Sequence, residues 1–392
     1  MAAVAPRHVL VVLVVAQFTG TSLWFAINAV LPELSAQFGW PEDAAGLLSA
    51  SLQGGFIVGT LCFALTMLSD RFDPRHVFLI ACMAGAVCTL VAWQMVRHYE
   101  WLVVWRFLTG VCLAGIYPVG MKIAAQWFPG GLGRALGWLV GALVVGSASA
   151  HGLRAVMGAL PWDTLMLAVA ALAALGGLLI RSLPTPPPPP PLTASQPTRF
   201  AWSAFSVMWT NPTVRSSVLG YFGHMWELYT FWVLLPFILM TRVEGVAVLW
   251  WSFFVMASGA VGCVVGGAVA NRWGSARVAG AQLSTSGLCC LLAPVALTAG
   301  NAFFFAWLIV WGITVAGDSP QFSTLTARHT PAHLVGSVLT MTNSIGFALS
   351  IVSIVLFTQA MPHYTMGTLL PWLALGPVLG VWALKHTMQR RS

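Results

Sequence analysis

Residues 223–229 read Gly-His-Met-Trp-Glu-Leu-Tyr, which sets the imidazole of His224 and the carboxyl of Glu227 one helical turn apart inside an otherwise apolar run. A helix rising about 1.5 Å per residue over 215–240 is long enough to cross the roughly 30 Å hydrocarbon layer of a membrane, with Glu227 near its centre. An ionisable side chain at that depth is costly facing lipid, so it faces a bundle interior or a watery cavity. On a 3.6-residue period Gly220, His224, Glu227 and Phe231 share one face, with Tyr221, Leu228 and Trp232 beside it. There a carboxyl is more easily carried neutral than charged, and a nearby imidazole can accept or share its proton. This suits a protonation site at Glu227 with His224 as its partner. The alternative is a Glu-His hydrogen bond that only fixes helix packing.

A second acid, Asp318, sits in Gly-Asp-Ser-Pro-Gln (317–321), where proline frees a backbone carbonyl and Asp, Ser and Gln offer polar partners to it or to a ligand. Arg106, in Arg-Phe-Leu-Thr-Gly, lies roughly 7 to 8 Å below the outer end of its run, where a snorkelling Arg is an alternative to a buried functional one. No acid in the first six runs is placed to pair with it, which leaves a bound anion or a carboxylate of the other half. Tyr117, Asn28 and Asn343 are further cavity candidates, each of which can equally serve as interhelical glue.

The elements that must position these residues are membrane helices. With 58% hydrophobic and only 7% charged residues, the chain lacks the polar surface that a soluble protein of 392 residues needs. Long apolar runs without alternation exclude a β-barrel. Twelve spans are expected, at about 9–31, 43–67, 75–96, 101–124, 132–153, 160–181, 215–240, 247–270, 277–299, 302–325, 335–360 and 364–385. The formal charge of +8 is a topology signal and not a nucleic-acid footprint. Arg7, Arg71, Arg75, Lys122, Arg134, Arg181, Arg199, Arg215, Arg272, Arg277, Arg328, Lys385, Arg390 and Arg391 fall on one side, and only Arg97, Arg154 and Arg242 on the other. That bias puts both termini in the cytoplasm. The first run continues past a signal-peptide core, so no cleavable leader is expected.

An unbroken proline run at 186–191 divides the spans six and six, giving halves at 1–182 and 215–392 joined by a cytoplasmic linker and interfacial segment at 183–214. The halves repeat one another. Leu-Ser-Asp-Arg-Phe-Asp-Pro-Arg at 68–75 is echoed by Ala-Asn-Arg-Trp-Gly-Ser-Ala-Arg at 270–277, with Arg71 and Arg272 lying 201 positions apart. Ala114-Gly115 is echoed by Ala316-Gly317, 202 positions apart. Parallel repeats of this kind place a solute site between the halves near the bilayer midplane.

At these residues the chain resembles the major facilitator superfamily of secondary transporters, whose motif between helices 2 and 3 is G-x-L-x-D-R-x-G-R-[KR]. Asp70 and Arg71 match it and Arg75 fits its basic end, while Thr66 and Asp73 stand where it has glycine. The second copy carries Asn271, Arg272 and Arg277 with both glycines, Gly267 and Gly274. The resemblance implies a conformational latch at these positions, the alternative being a plain inside-positive anchor. Arg106 with Gly110 resembles the family's helix-4 motif R-x-x-x-G, whose Arg is often placed near proton or substrate pathways. Span 5 lacks the Gly-Pro element of many drug antiporters, and spans 2 and 8 lack the Arg pair of doubly charged anion carriers.

The expectation is an all-α, twelve-helix inner-membrane transporter working by alternating access on a small organic solute, with proton coupling. An exporter of amphipathic compounds is the alternative within the class, and a non-transporting sensor on the same fold the alternative outside it. Enzymatic chemistry, metal ions, cofactors and nucleic acid are not expected, and the chain is read as a monomer in the lipid bilayer.

Overall fold

The computed structural model describes residues 7–41, 43–128, 132–158, 160–185 and 201–389, so the proline run lies outside the described residues. Before the linker come α1 (Arg7–Thr21), α2 (Leu31–Phe38), α3 (Ala44–Thr66), α4 (Leu68–Arg71), α5 (Pro74–Gln94), α6 (Tyr99–Ala114), α7 (Tyr117–Trp127), α8 (Leu132–Met157) and α9 (Asp163–Ser182). After it follow α10 (Ser203–Thr210), α11 (Pro212–Leu239), α12 (Val246–Trp273), α13 (Ser275–Thr298), α14 (Asn301–Gly317), α15 (Ser319–His329), α16 (Val335–Ala360), α17 (Met366–Leu369) and α18 (Leu375–Gln389). Among the described residues, eleven helical stretches are long and apolar enough to cross a membrane, and the first span supplies the twelfth in two pieces.

Four spans break where a continuous helix was expected: span 12 passes through a 3-10 stretch at Leu370–Ala374, and the breaks in spans 1, 4 and 10 each have a local cause. In span 1 the hydroxyls of Thr19, Thr21 and Ser22 bond back to the carbonyls of Val15, Gln17 and Thr19, at 3.0, 2.8 and 2.7 Å. They compete with the backbone ladder, and α1 stops at Thr21. Spans 4 and 10 break alike: α7 and α15 each restart with a proline in the first turn, Pro118 and Pro320. The sequence echo at Gly115 and Gly317 is therefore an echo of structure.

Within each half, glycines let backbones touch. A Cβ on Gly110 of α6 would collide with the Leu52 carbonyl of α3, and one on Gly312 of α14 with the Val255 carbonyl of α12. Without side chains, the paired helices approach to van der Waals contact, the usual basis of association in lipid. Arg154 closes the first half at the end away from the termini: it is buried, makes a two-point pair with Glu33 at 2.8 Å each, and donates to the carbonyls of Gly158 and Leu160.

The two halves meet along two seams. The α8–α12 seam runs nearly the whole helix length, from Gly137 beside the Cys263 carbonyl to Gly152 beside the Phe253 ring. Along the α3–α16 seam, Gly46 faces Thr358, Ser350 Oγ donates to Gln53 at 2.5 Å, and Phe56 meets Phe347 with ring centroids 4.6 Å apart. The first two contacts lie in the half of the seam away from the termini and the third at its middle. An aromatic layer fills the middle at that level, with Trp24 stacked on Tyr229 at 5.5 Å and Phe25 edge-on to Trp232 at 5.8 Å. The far end is thus closed over the centre of the bundle.

Candidate functional site

Directly beneath the aromatic layer a narrow cavity of about 30 Å³ lies between the halves. The first half contributes Tyr117 and one face of α8, and the second contributes α11, Ser319 and Ser323 of α15, and Asn343 and Phe347 of α16. On α11 the lining residues are Tyr221, His224, Met225, Leu228, Tyr229 and Trp232, a continuous stripe at helical spacing. His224, Tyr117 and Asn343 therefore line the cavity, whereas Glu227, Asp318, Arg106 and Asn28 do not.

The expected His224–Glu227 partnership is replaced by another. His224 Nδ1 lies 2.7 Å from Asp318 Oδ1, and both side chains are fully buried. The contact is close but bent away from hydrogen-bond geometry, and His224 Nε2 and Asp318 Oδ2 have no protein partner among the described residues. Asp318 occupies the break between α14 and α15, where the chain must turn, so its backbone position is fixed by the same proline that frees its surroundings. Tyr221 and Phe322 flank the imidazole, with ring centroids at 5.7 and 6.2 Å.

Glu227 turns to the opposite flank of α11 and is held there by three donors: Trp311 Nε1 at 2.6 Å, Ser286 Oγ at 2.9 Å and Cys290 Sγ at 3.3 Å. These come from α14 and α13, so the carboxyl ties together three helices of one half. Facing donors only, it is well suited to accept. Nothing in the sequence linked Glu227 to Trp311, 84 positions away.

Arg106 is buried at 2% exposure, which rules out snorkelling to the surface. Its Nη1 donates to the Leu23 carbonyl at 3.1 Å and its Nη2 to that of Trp24 at 2.5 Å. Both carbonyls belong to the broken stretch after α1, so the guanidinium replaces the ladder partners that the break removes. No carboxylate pairs with it among the described residues. Asn28 donates to Ser49 Oγ at 3.0 Å, linking the first span to α3.

At the loops facing the termini, Arg75 is the residue that bonds. It makes a three-contact pair with Asp73, with the shortest distance 2.6 Å, and donates to the Leu183 carbonyl at 2.5 Å and to Thr185 Oγ1 at 2.9 Å. Asp73 also caps α5 by accepting from Arg75 N at 2.9 Å. The side-chain bond from Arg75 holds the Asp73 carboxyl below its ordinary pKa. In the second half Arg277 Nε donates to the Met388 carbonyl at 3.3 Å. Both arginines thus fasten the third span of a half to the end of its sixth. Arg71, Asn271 and Arg272 are exposed, and the Asp70 side chain lies outside the described residues. Among the described side chains of these loops the acid that bonds is Asp73, readable beforehand as an Asp-Pro helix start.

The sequence matches the model of the Major Facilitator Superfamily over residues 13–354. The chain belongs to the major facilitator superfamily. As a member of that superfamily it is a transporter, and solved structures of the fold resemble it over nearly its whole length. One is a point mutant of the nucleoside transporter NupG, with TM-score 0.71, 16% identity, and coverage of 97% of this chain and 100% of that one. Another is a bacterial homologue of the human lysosomal transporter Spinster, solved inward-facing and unoccupied, with TM-score 0.69, 16% identity, and coverage of 97% and 93%. Identities this low establish the fold alone. An uncharacterized transporter of Buchnera aphidicola subsp. Schizaphis graminum (strain Sg) is 23% identical over 141 residues, which span 36% of this chain and 33% of that protein.

Proposed function

We propose that this superfamily member is a proton-coupled transporter of a small organic solute in the inner membrane, with both termini cytoplasmic and the His224–Asp318 pair as its coupling site. One observation carries the reading: a titratable pair 2.7 Å apart and buried, with the imidazole on the wall of the cavity between the halves. The pair gives the bound proton a place that senses solute directly. With a proton shared, imidazole and carboxyl are neutralised together, and the loaded site passes through the occluded state at lower electrostatic cost. Asp318 sits at the helix break, so a change in its charge acts on the joint between α14 and α15 as well as on the cavity. Glu227 serves instead to hold α11 against α13 and α14. The one-sided distribution of Lys and Arg supports the orientation.

The test uses proteoliposomes loaded with a pH-sensitive dye and offered a panel of metabolites, with vesicle contents read by mass spectrometry. At least one solute should enter wild-type vesicles together with protons, and Asp318→Asn should abolish the proton movement. Solute entry without proton entry in the wild type, or proton movement undiminished in Asp318→Asn, would sink the assignment.

A further inference from the structure

The cavity face of α8 does not end at the cavity. Val140, Leu143 and Val144 line it, and Ser147 and His151 continue the same stripe by one and two turns toward the far end. Their exposures are 0% and 1%, yet Ser147 Oγ and both ring nitrogens of His151 have no hydrogen-bond partner among the described residues. On α11 Trp232 Nε1 is likewise buried and unpartnered. Phe25 joins the group, with its ring 6.4 Å from His151 and 5.8 Å from Trp232. Leaving buried polar atoms without partners is costly, and apolar residues of similar shape would remove the cost. Such atoms on His151 and Trp232, each beside the Phe25 ring, with Ser147 one turn along α8, call for a polar occupant at the rim of the solute path.

We infer that Ser147, His151 and Trp232 form a second solute-binding subsite, engaged when the aromatic layer parts at the far end, and that it takes an uncharged ring compound bearing several hydroxyl or carbonyl oxygens. This rests on the cavity being the solute path. The donor inventory selects the class: the indole only donates, a neutral imidazole donates once and accepts once, and the hydroxyl does both, so the partner must offer oxygen acceptors and at least one hydroxyl donor. The aromatic rings of Phe25, Tyr229 and Trp232 supply flat surfaces for a ring. In the cavity below, His224 and Asp318 lie 2.7 Å from each other, and among the described residues no Lys, Arg, Asp or Glu lines the cavity to take an ionic solute.

The experiment is equilibrium binding to the purified full-length protein, read by thermal shift, with uridine, ribose and myo-inositol as probes and 2′,3′-dideoxyuridine as the oxygen-poor control. Wild type should be stabilised by at least one probe. Ser147→Ala and His151→Phe should keep the ligand-free melting temperature or raise it and weaken that probe tenfold or more. Uridine should lose more than its dideoxy analogue, and His151→Gln, which keeps a donor and an acceptor, should recover much of the affinity. Should His151→Phe fail to fold, Ser147→Ala and His151→Gln carry the same comparison. Variants that bind like wild type would mean that the orphan atoms hold trapped water only, and a wild type indifferent to all three probes would equally overturn the subsite. Binding is read without a proton gradient, so failure here leaves the coupling proposal standing. Intact binding without proton flux would remove that proposal alone.

Discussion

Glu227 and Asp318 are both buried acids in the second half, and their surroundings divide the work between them. Three neutral donors converge on Glu227 from α13 and α14, whereas Asp318 faces one titratable imidazole. Replacing Glu227 by Gln puts an amide donor among donors, and at least one contact is lost at a cost of about 1–3 kcal/mol. We predict that Glu227→Gln melts a few degrees lower than wild type but keeps solute-driven proton movement. An unchanged melting temperature with lost coupling would move the coupling site from Asp318 to Glu227. The residue types in 223–229 announced that α11 carries chemistry. Which of its faces is the working one was not legible, because twenty or so buried positions of this helix show no polar side to read.

At the scale of elements, the structure rests on pairs of helices brought close by glycine, and the requirement differs sharply between neighbouring positions. A Cβ on Gly110 would run into the Leu52 backbone, where nothing can yield without parting α3 from α6. One on Gly54 meets only the Phe107 ring at 3.9 Å, an ordinary contact. Gly110→Ala should therefore cost a few kcal/mol and yield little monodisperse protein on size-exclusion chromatography, with Gly54→Ala eluting like wild type. A normal profile for Gly110→Ala would show that the pair has slack. The breaks in spans 1, 4 and 10 belong to this scale too. Proline announced the last two, but the first needed hydroxyls bonding backwards at Thr19, Thr21 and Ser22 together with Arg106, whose partners are carbonyls more than 80 positions distant.

For the whole molecule, alternating access requires the far-end contacts of α3 and α16 to part while the α8–α12 seam serves as the joint. A Cβ on Gly46 would lie 2.9 Å from Thr358 Cβ, slightly inside the span of a disulfide and correctable by a small shift. The double variant Gly46→Cys with Thr358→Cys should cross-link under mild oxidant and lose transport, and dithiothreitol should restore it. Transport by the fully cross-linked protein would mean that the far end need not open there.

Composition alone determined the membrane class and the helical fold, because those follow from hydrophobic length, and the spacing of the duplicated motifs carried the reading of two parallel halves. They also marked Arg75 and Arg277, which fasten equivalent helix ends in the two halves. Tertiary structure alone decided partnership. It gave His224 to Asp318, Glu227 to Trp311, Arg106 to a broken helix and Asp73 to Arg75. The physical reason is that a helix buried on every side carries no hydropathy signal of direction, and pairs formed between helices far apart in sequence are fixed by how the bundle packs, which no local spacing encodes.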